Sequence, residues 1–192
     1  GETMGKTYEA LERAEQEYVD NLPAVKQKPV TEISLPGRGR KPLHEPMDCY
    51  EVLKTNVKAR HPDPPIRTIL FCGTTHGDGA STTSINFAST LARNNQLKVL
   101  LIEANLRTVS FHSVFRDQPE FGLSEIVTDG DKPIPYIKKV EPGNLWVLTA
   151  GSKLSGPVSL FESDRFGTFL TSMRAAFDYI ILDGPPAPIF SE

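Results

Sequence analysis

From Leu70 to Ala88 the chain passes from an apolar run (Leu70, Phe71) through a glycine-rich turn (Gly73, Gly77, Gly79) into hydroxyl residues (Ser81, Thr82, Thr83) that open an amphipathic stretch. Few folds accept that order. A strand must end where the glycines begin, and a helix must start where they stop. The backbone N–H groups of the turn and the helix N-terminus then converge on a space suited to phosphate. On this reading Gly77, Asp78, Gly79, Ala80, Ser81 and Thr82 form a nucleotide-binding loop. A phosphate-binding loop carries lysine directly after its last glycine, and here that position is Ala80. Taken alone, the segment is equally well explained as a strand-to-helix connection with an N-cap hydroxyl, so the rest of the chain decides.

Periodicity supplies the surrounding elements. Lys6–Val19 has helical spacing, and residues 21–46 follow as a linker broken by Pro23, Pro29, Pro36, Pro42 and Pro46. Met47–Arg60 reads as a second helix, stopped by the proline cluster at residues 62–65, and Arg67–Gly73 as the first strand. A helix over Ser81–Asn94 leads to Lys98–Glu103, an apolar run of the kind buried on both faces of a parallel sheet. Further on, Gly122–Thr128 reads as a short helix, Asn144–Thr149 as a strand, Ser159–Phe177 as a long helix and Tyr179–Asp183 as a last strand. Strands alternating with helices predict an α/β fold with a doubly wound, mostly parallel sheet, whose ligands sit at the carboxyl ends of the strands. The expected division is residues 1–46 as helix and linker, and 47–192 as the folded domain.

Three polar residues fall where those strands end. Ser81 would offer a hydroxyl to Mg²⁺, Glu103 ends the second strand, and Asp183 ends the last. Glu103 and Asp183 are the candidate catalytic carboxylates, and Ser81 and Asp183 the candidate metal ligands. His76 and Asp78 read as solvated loop residues, and Arg107 as a partner for phosphate or a neighbouring carboxylate. Trp146, Phe161, Phe166 and Phe169 read as core.

Composition narrows the functional classes. A net charge of −3 without a long basic block gives no footprint for nucleic acid. No stretch approaches a membrane span and the N-terminus lacks a signal sequence. Cys49 and Cys72 have no metal-ligand spacing and are expected to be buried thiols. A soluble cytoplasmic chain is expected.

Gly77–Thr83, then Val99–Arg107 with His112 downstream, then Phe177–Pro186 resemble the Walker A, Walker A′ and Walker B motifs of bacterial tyrosine kinases, of the deviant Walker A class that also holds MinD and ParA proteins. The likeness runs on through Phe121–Glu125, Leu145–Gly151 and Phe161–Phe166, and Tyr8–Ala14 is typical of stand-alone members. The resemblance implies a P-loop NTPase fold, ATP or ADP with Mg²⁺, control of capsule and exopolysaccharide export, and a membrane polysaccharide co-polymerase or chain-length regulator as partner. That partner would hold the protein at the inner face of the membrane. It also implies self-association, and an acceptor tyrosine presented by a neighbouring subunit.

Four departures bear on that chemistry. Ala80 removes a cation from the phosphates, a loss of several kcal/mol at the transition state where electrostatic stabilisation dominates. Glu103 stands where the resemblance implies aspartate, one methylene longer. Asp48, Glu51 and Lys54 stand where it implies one glutamate and two arginines of an assembly helix. The sequence stops at Glu192, before the further strands and tyrosine-rich tail that the resemblance implies, and its five tyrosines form no cluster. A kinase-like regulator with weakened or absent activity is the expectation. The alternatives are an active kinase using another cation such as Arg107, an engineered Lys-to-Ala form, and a partitioning ATPase, whose additional signature lysine is here Thr75.

Overall fold

The structure is a computed structural model that describes residues 46–187, except 61, 109–110, 116–120, 131–132, 141–142 and 153–157. The helix expected over Lys6–Val19 and nearly all of the proline-rich linker lie outside the described residues.

Five strands form one sheet: β1 (Thr68–Phe71), β2 (Val99–Glu103), β3 (Ile137–Val140), β4 (Leu145–Leu148) and β5 (Tyr179–Asp183), in the order β1-β5-β2-β4-β3. The pairs β1–β5, β5–β2 and β2–β4 are parallel, and β3 joins β4 antiparallel at the edge. β2 and β5 are central and buried at every residue, which is why both read as unbroken apolar runs.

Helices cover both faces: α1 (Pro46–Arg60), α2 (Ala80–Ala92) and α3 (Phe111–Phe115) on one side, α4 (Leu123–Thr128), α5 (Val158–Phe161) and α6 (Asp164–Ala176) on the other. Alternate strand residues serve the two cores. Val99, Leu101 and Ile181 pack with Phe87 and Phe111, while Leu100, Ile102 and Ile180 pack with Leu123 and Phe169. This is the doubly wound α/β sheet expected, and it places the C-terminal ends of β1, β2, β4 and β5 along one edge.

The long helix expected over Ser159–Phe177 is two helices. Ser163 interrupts it, with an extended backbone and a hydroxyl that accepts the Phe166 N–H at 3.2 Å as the N-cap of α6. Phe161 meets Phe166 edge to face across the break, with ring centroids 5.1 Å apart, and Phe166 lies tilted against Phe169 at 6.3 Å. β3 and α3 are additional to the expected elements. Both cysteines are exposed rather than buried: Cys72 leaves β1 toward solvent, where the sheet has already ended.

Candidate functional site

The glycine turn leaves β1 at Cys72 and delivers the chain to α2. Gly77 and Gly79 adopt φ of 87° and 95°, a left-handed region that costs a β-carbon-bearing residue about 1 kcal/mol or more. Gly79 is the N-cap of α2 and brings no side chain to its first turn. Ala80 is thus the first helical residue, Ser81 the second and Thr82 the third, and the positive end of a 13-residue helix opens onto the loop.

Asp78 folds back into this loop. Its Oδ2 accepts the N–H of Thr74 at 2.6 Å and of Thr75 at 3.2 Å, with the Thr74 hydroxyl at 3.5 Å. Bonding by the N–H groups of Thr75 and Thr74, with a smaller share from Ala80, holds its carboxyl below the ordinary carboxylate range. The carboxylate is exposed, as expected of a loop residue, but its partners are fixed loop donors. His76 and Thr82 are exposed.

Asp183 and Glu103 are register partners at the ends of β5 and β2, and neither has exposed surface. Their surroundings differ. Glu103 Oε1 accepts the Phe111 N–H at 2.8 Å and Oε2 the Ala150 N–H at 3.2 Å. It therefore ties the end of β2 to the start of α3 and to the chain leaving β4.

Neither oxygen of Asp183 has a hydrogen bond of normal length. Burial pushes its carboxyl up to about 6; the nearby Ser81 and Ser84 hydroxyls oppose that rise, and Glu103 adds to it. The Ser84 hydroxyl is engaged with the Ser81 carbonyl at 2.9 Å, so it is held back from serving Asp183 fully. Two buried oxygens lacking donors, beside the hydroxyl of Ser81, form a donor set suited to a hard cation such as Mg²⁺. Among the described residues no group of three or more His, Cys, Asp or Glu side chains forms a metal site. A metal here would rest on Asp183 and Ser81 and complete its shell with water or phosphate.

A second polar knot braces the edge. Glu125 is buried, its Oε2 accepting the Gly122 N–H at 2.6 Å and its Oε1 the Ser152 N–H at 3.1 Å. The Ser124 hydroxyl lies within hydrogen-bond distance of the carbonyls of Ala150 and Ser152, at 2.8 and 2.7 Å, and shares its one proton between them. The backbones of residues 122–124 and 149–151 lie so close that a β-carbon on Gly122 would overlap the Thr149 carbonyl. Glutamate at the third residue after a glycine N-cap is half of a capping box, and that spacing is the sequence signal that marks it. Arg107 is exposed just past β2, and Glu51 pairs with Lys54 at 2.9 Å within α1.

The structure thus gathers Gly77, Asp78, Gly79, Ala80, Ser81, Thr82, Glu103 and Asp183 at one edge of the sheet. No lysine follows the last glycine.

A model of the AAA domain family matches residues 66–189. Tyrosine-protein kinase CpsD of Streptococcus pneumoniae serotype 4 is 31% identical over 143 residues, 74% of this chain and 62% of that protein. The chain therefore spans about three fifths of the length of that relative. The kinase domain of Escherichia coli tyrosine kinase ETK superposes with a TM-score of 0.70 at 23% identity, over 88% of this chain and 66% of that one. The septum site-determining protein MinD of Pyrococcus horikoshii, complexed with Mg-ADP, superposes with a TM-score of 0.53 at 20% identity, over 64% and 50%. These two structures share the fold.

Proposed function

Since this chain belongs to the AAA domain family and has bacterial tyrosine kinases among its relatives, we propose that it is a kinase-like regulator of capsule and exopolysaccharide export. In this reading it binds nucleotide weakly and transfers phosphate poorly or not at all. The observation that carries the proposal is the pairing of a retained carboxylate with a missing cation: Asp183, buried with two unpartnered oxygens beside Ser81, and Ala80 at the adjoining helix start.

Each residue has a separable task. The N-terminus of α2 and the N–H groups of the glycine turn attract and orient phosphate oxygens. Ser81 and Asp183 would hold Mg²⁺, which when bound supplies positive charge to the phosphates. Ala80 offers a methyl group where an ammonium would follow the charge that develops on the transferred phosphoryl group. That contact acts mainly in the transition state, so its loss weakens catalysis more than binding. Glu103, engaged with two backbone donors, is proposed as the carboxylate that sets the metal's outer shell and the charge state of Asp183, in place of a base freely reaching an acceptor hydroxyl.

The partner supported by the resemblance is a membrane polysaccharide co-polymerase, which would place the protein at the cytoplasmic face of the membrane. The test is phosphotyrosine formation with Mg·ATP, using a Glu/Tyr copolymer as acceptor, in the presence and absence of such a partner's cytoplasmic segment. No phosphotyrosine, together with co-sedimentation on vesicles bearing that segment, is the expected result. Robust phosphotyrosine formation by the unmodified chain would overturn the proposal and favour the reading in which another cation, Arg107 or one from the partner, replaces the lysine.

A further inference from the structure

We propose that the Asp78 carboxylate is an internal anion seated in the phosphate loop, so that a phosphate ligand binds only by displacing it. This inference rests on the reading of the loop as a phosphate site and specifies how that site is held shut.

The geometry is that of an anion already bound. Asp78 Oδ2 draws N–H groups from the entrance of the loop, Thr74 at 2.6 Å and Thr75 at 3.2 Å. The Ala80 N–H, at the exit where α2 begins, acts on the carboxylate in the same sense. The carboxylate lies against the Cα of Gly73, where a β-carbon would overlap it. Two successive N–H groups at the loop entrance thus converge on one carboxylate oxygen, which is how successive N–H groups hold phosphate in an anion nest. Gly73 therefore serves a close approach by a side chain of its own loop. Among the described residues Asp78 has no ion pair, and Ala80 supplies no ammonium to offset it. A phosphate entering beside Asp78 meets a like charge that no ion pair among the described residues offsets.

The opposing possibility is that Asp78 staples the loop into its binding shape. The two differ in sign. A competitor, once removed, leaves donors free and binding tightens; a staple, once removed, leaves a looser loop and binding weakens. The test is calorimetric titration of pyrophosphate and of Mg·ADP into the parent chain, Asp78→Ala and Asp78→Asn. The asparagine variant keeps the side-chain shape without its charge. The expected result is tighter binding by both variants, about tenfold or more for pyrophosphate, and a smaller gain for Mg·ADP because the metal already offsets part of the charge. Amide spectra confirm that each variant is folded, with changes concentrated at Thr74, Thr75 and Ala80.

Unchanged or weaker binding by both folded variants, with the parent binding measurably, overturns this inference alone. Absence of binding in the parent and in every variant overturns it together with the phosphate-site reading.

Discussion

Replacing Asp183 by asparagine removes the charge from a carboxylate that has no exposed surface and no hydrogen bond at either oxygen. In the fold its carboxyl is raised from 3.8 to about 6, chiefly by burial. At about 1.4 kcal/mol per unit, ionised Asp183 disfavours the folded state by ~3 kcal/mol above pH 6. The folded chain binds this proton more tightly than the unfolded chain does. Stability from this group is therefore greatest below the unfolded value near 4, falls as pH rises toward about 6, and is level above it. An asparagine side chain does not ionise, so the variant escapes that loss, although its amide must also find partners in a site that offers few. The net gain expected is about 1–2 kcal/mol at neutral pH, or ~2–8 °C in the unfolding midpoint for a domain of this size. Thermal and urea unfolding of parent and variant are to be compared in steps across the acid range, and only the difference between them is read, so other titrating groups cancel. The difference should open between pH 4 and about 6 and stay constant above. In neutral buffer Mg²⁺ should stabilise the parent and not the variant. A difference independent of pH, or a variant less stable than its parent at neutral pH, would refute the assignment of Asp183 as an unpaired buried carboxylate.

Glu103→Gln should leave one of two buried backbone donors, Phe111 N–H or Ala150 N–H, without its acceptor, and lower stability by about 1–3 kcal/mol in urea titrations. Because Glu103 helps to raise the carboxyl of Asp183, the same variant should move the Asp183 titration, followed by carboxyl NMR, to lower pH. Gly122→Ala forces a β-carbon into the Thr149 carbonyl, and should cost about 2 kcal/mol or more by the same unfolding measurement. Ser163→Ala removes the cap of α6 and should cost about 1 kcal/mol, with faster amide exchange in that helix.

What the sequence discloses follows from what each segment buries. Val99–Glu103 and Tyr179–Asp183 are covered on both faces, so their apolar runs are continuous and their ends, with the two carboxylates, fall where expected. Ile137–Val140 lies at the sheet edge, with two lysines between its apolar ends, and carries neither a continuous run nor strict alternation. Apolar residues on both sides of Ser163, Leu160 and Phe161 before it and Phe166 and Phe169 after it, let the stretch read as one helix and mask the break there; the serine followed by Asp164 is a cap signal outweighed by that run. The motif residues of the site are legible because each sits at a fixed step from a strand end. The fold of Asp78 back onto Thr74 and Thr75, and the span of Glu103 to Phe111 and Ala150, are not. Those contacts depend on the path of a loop and on segments 47 residues apart in the chain. The cysteines depart from expectation for a similar reason, since a thiol's general preference for burial says nothing of where a strand stops.

In this reading the chain keeps a phosphate and metal site while lacking the cation that would strengthen it. Calorimetric titration of Mg·ADP into the parent, Ala80→Lys and Asp183→Asn probes that combination at both of its halves. The prediction is weak binding by the parent, binding tighter by about tenfold or more in Ala80→Lys, and loss of the Mg²⁺-dependent part in Asp183→Asn. Tight binding by the parent that neither substitution alters would contradict it.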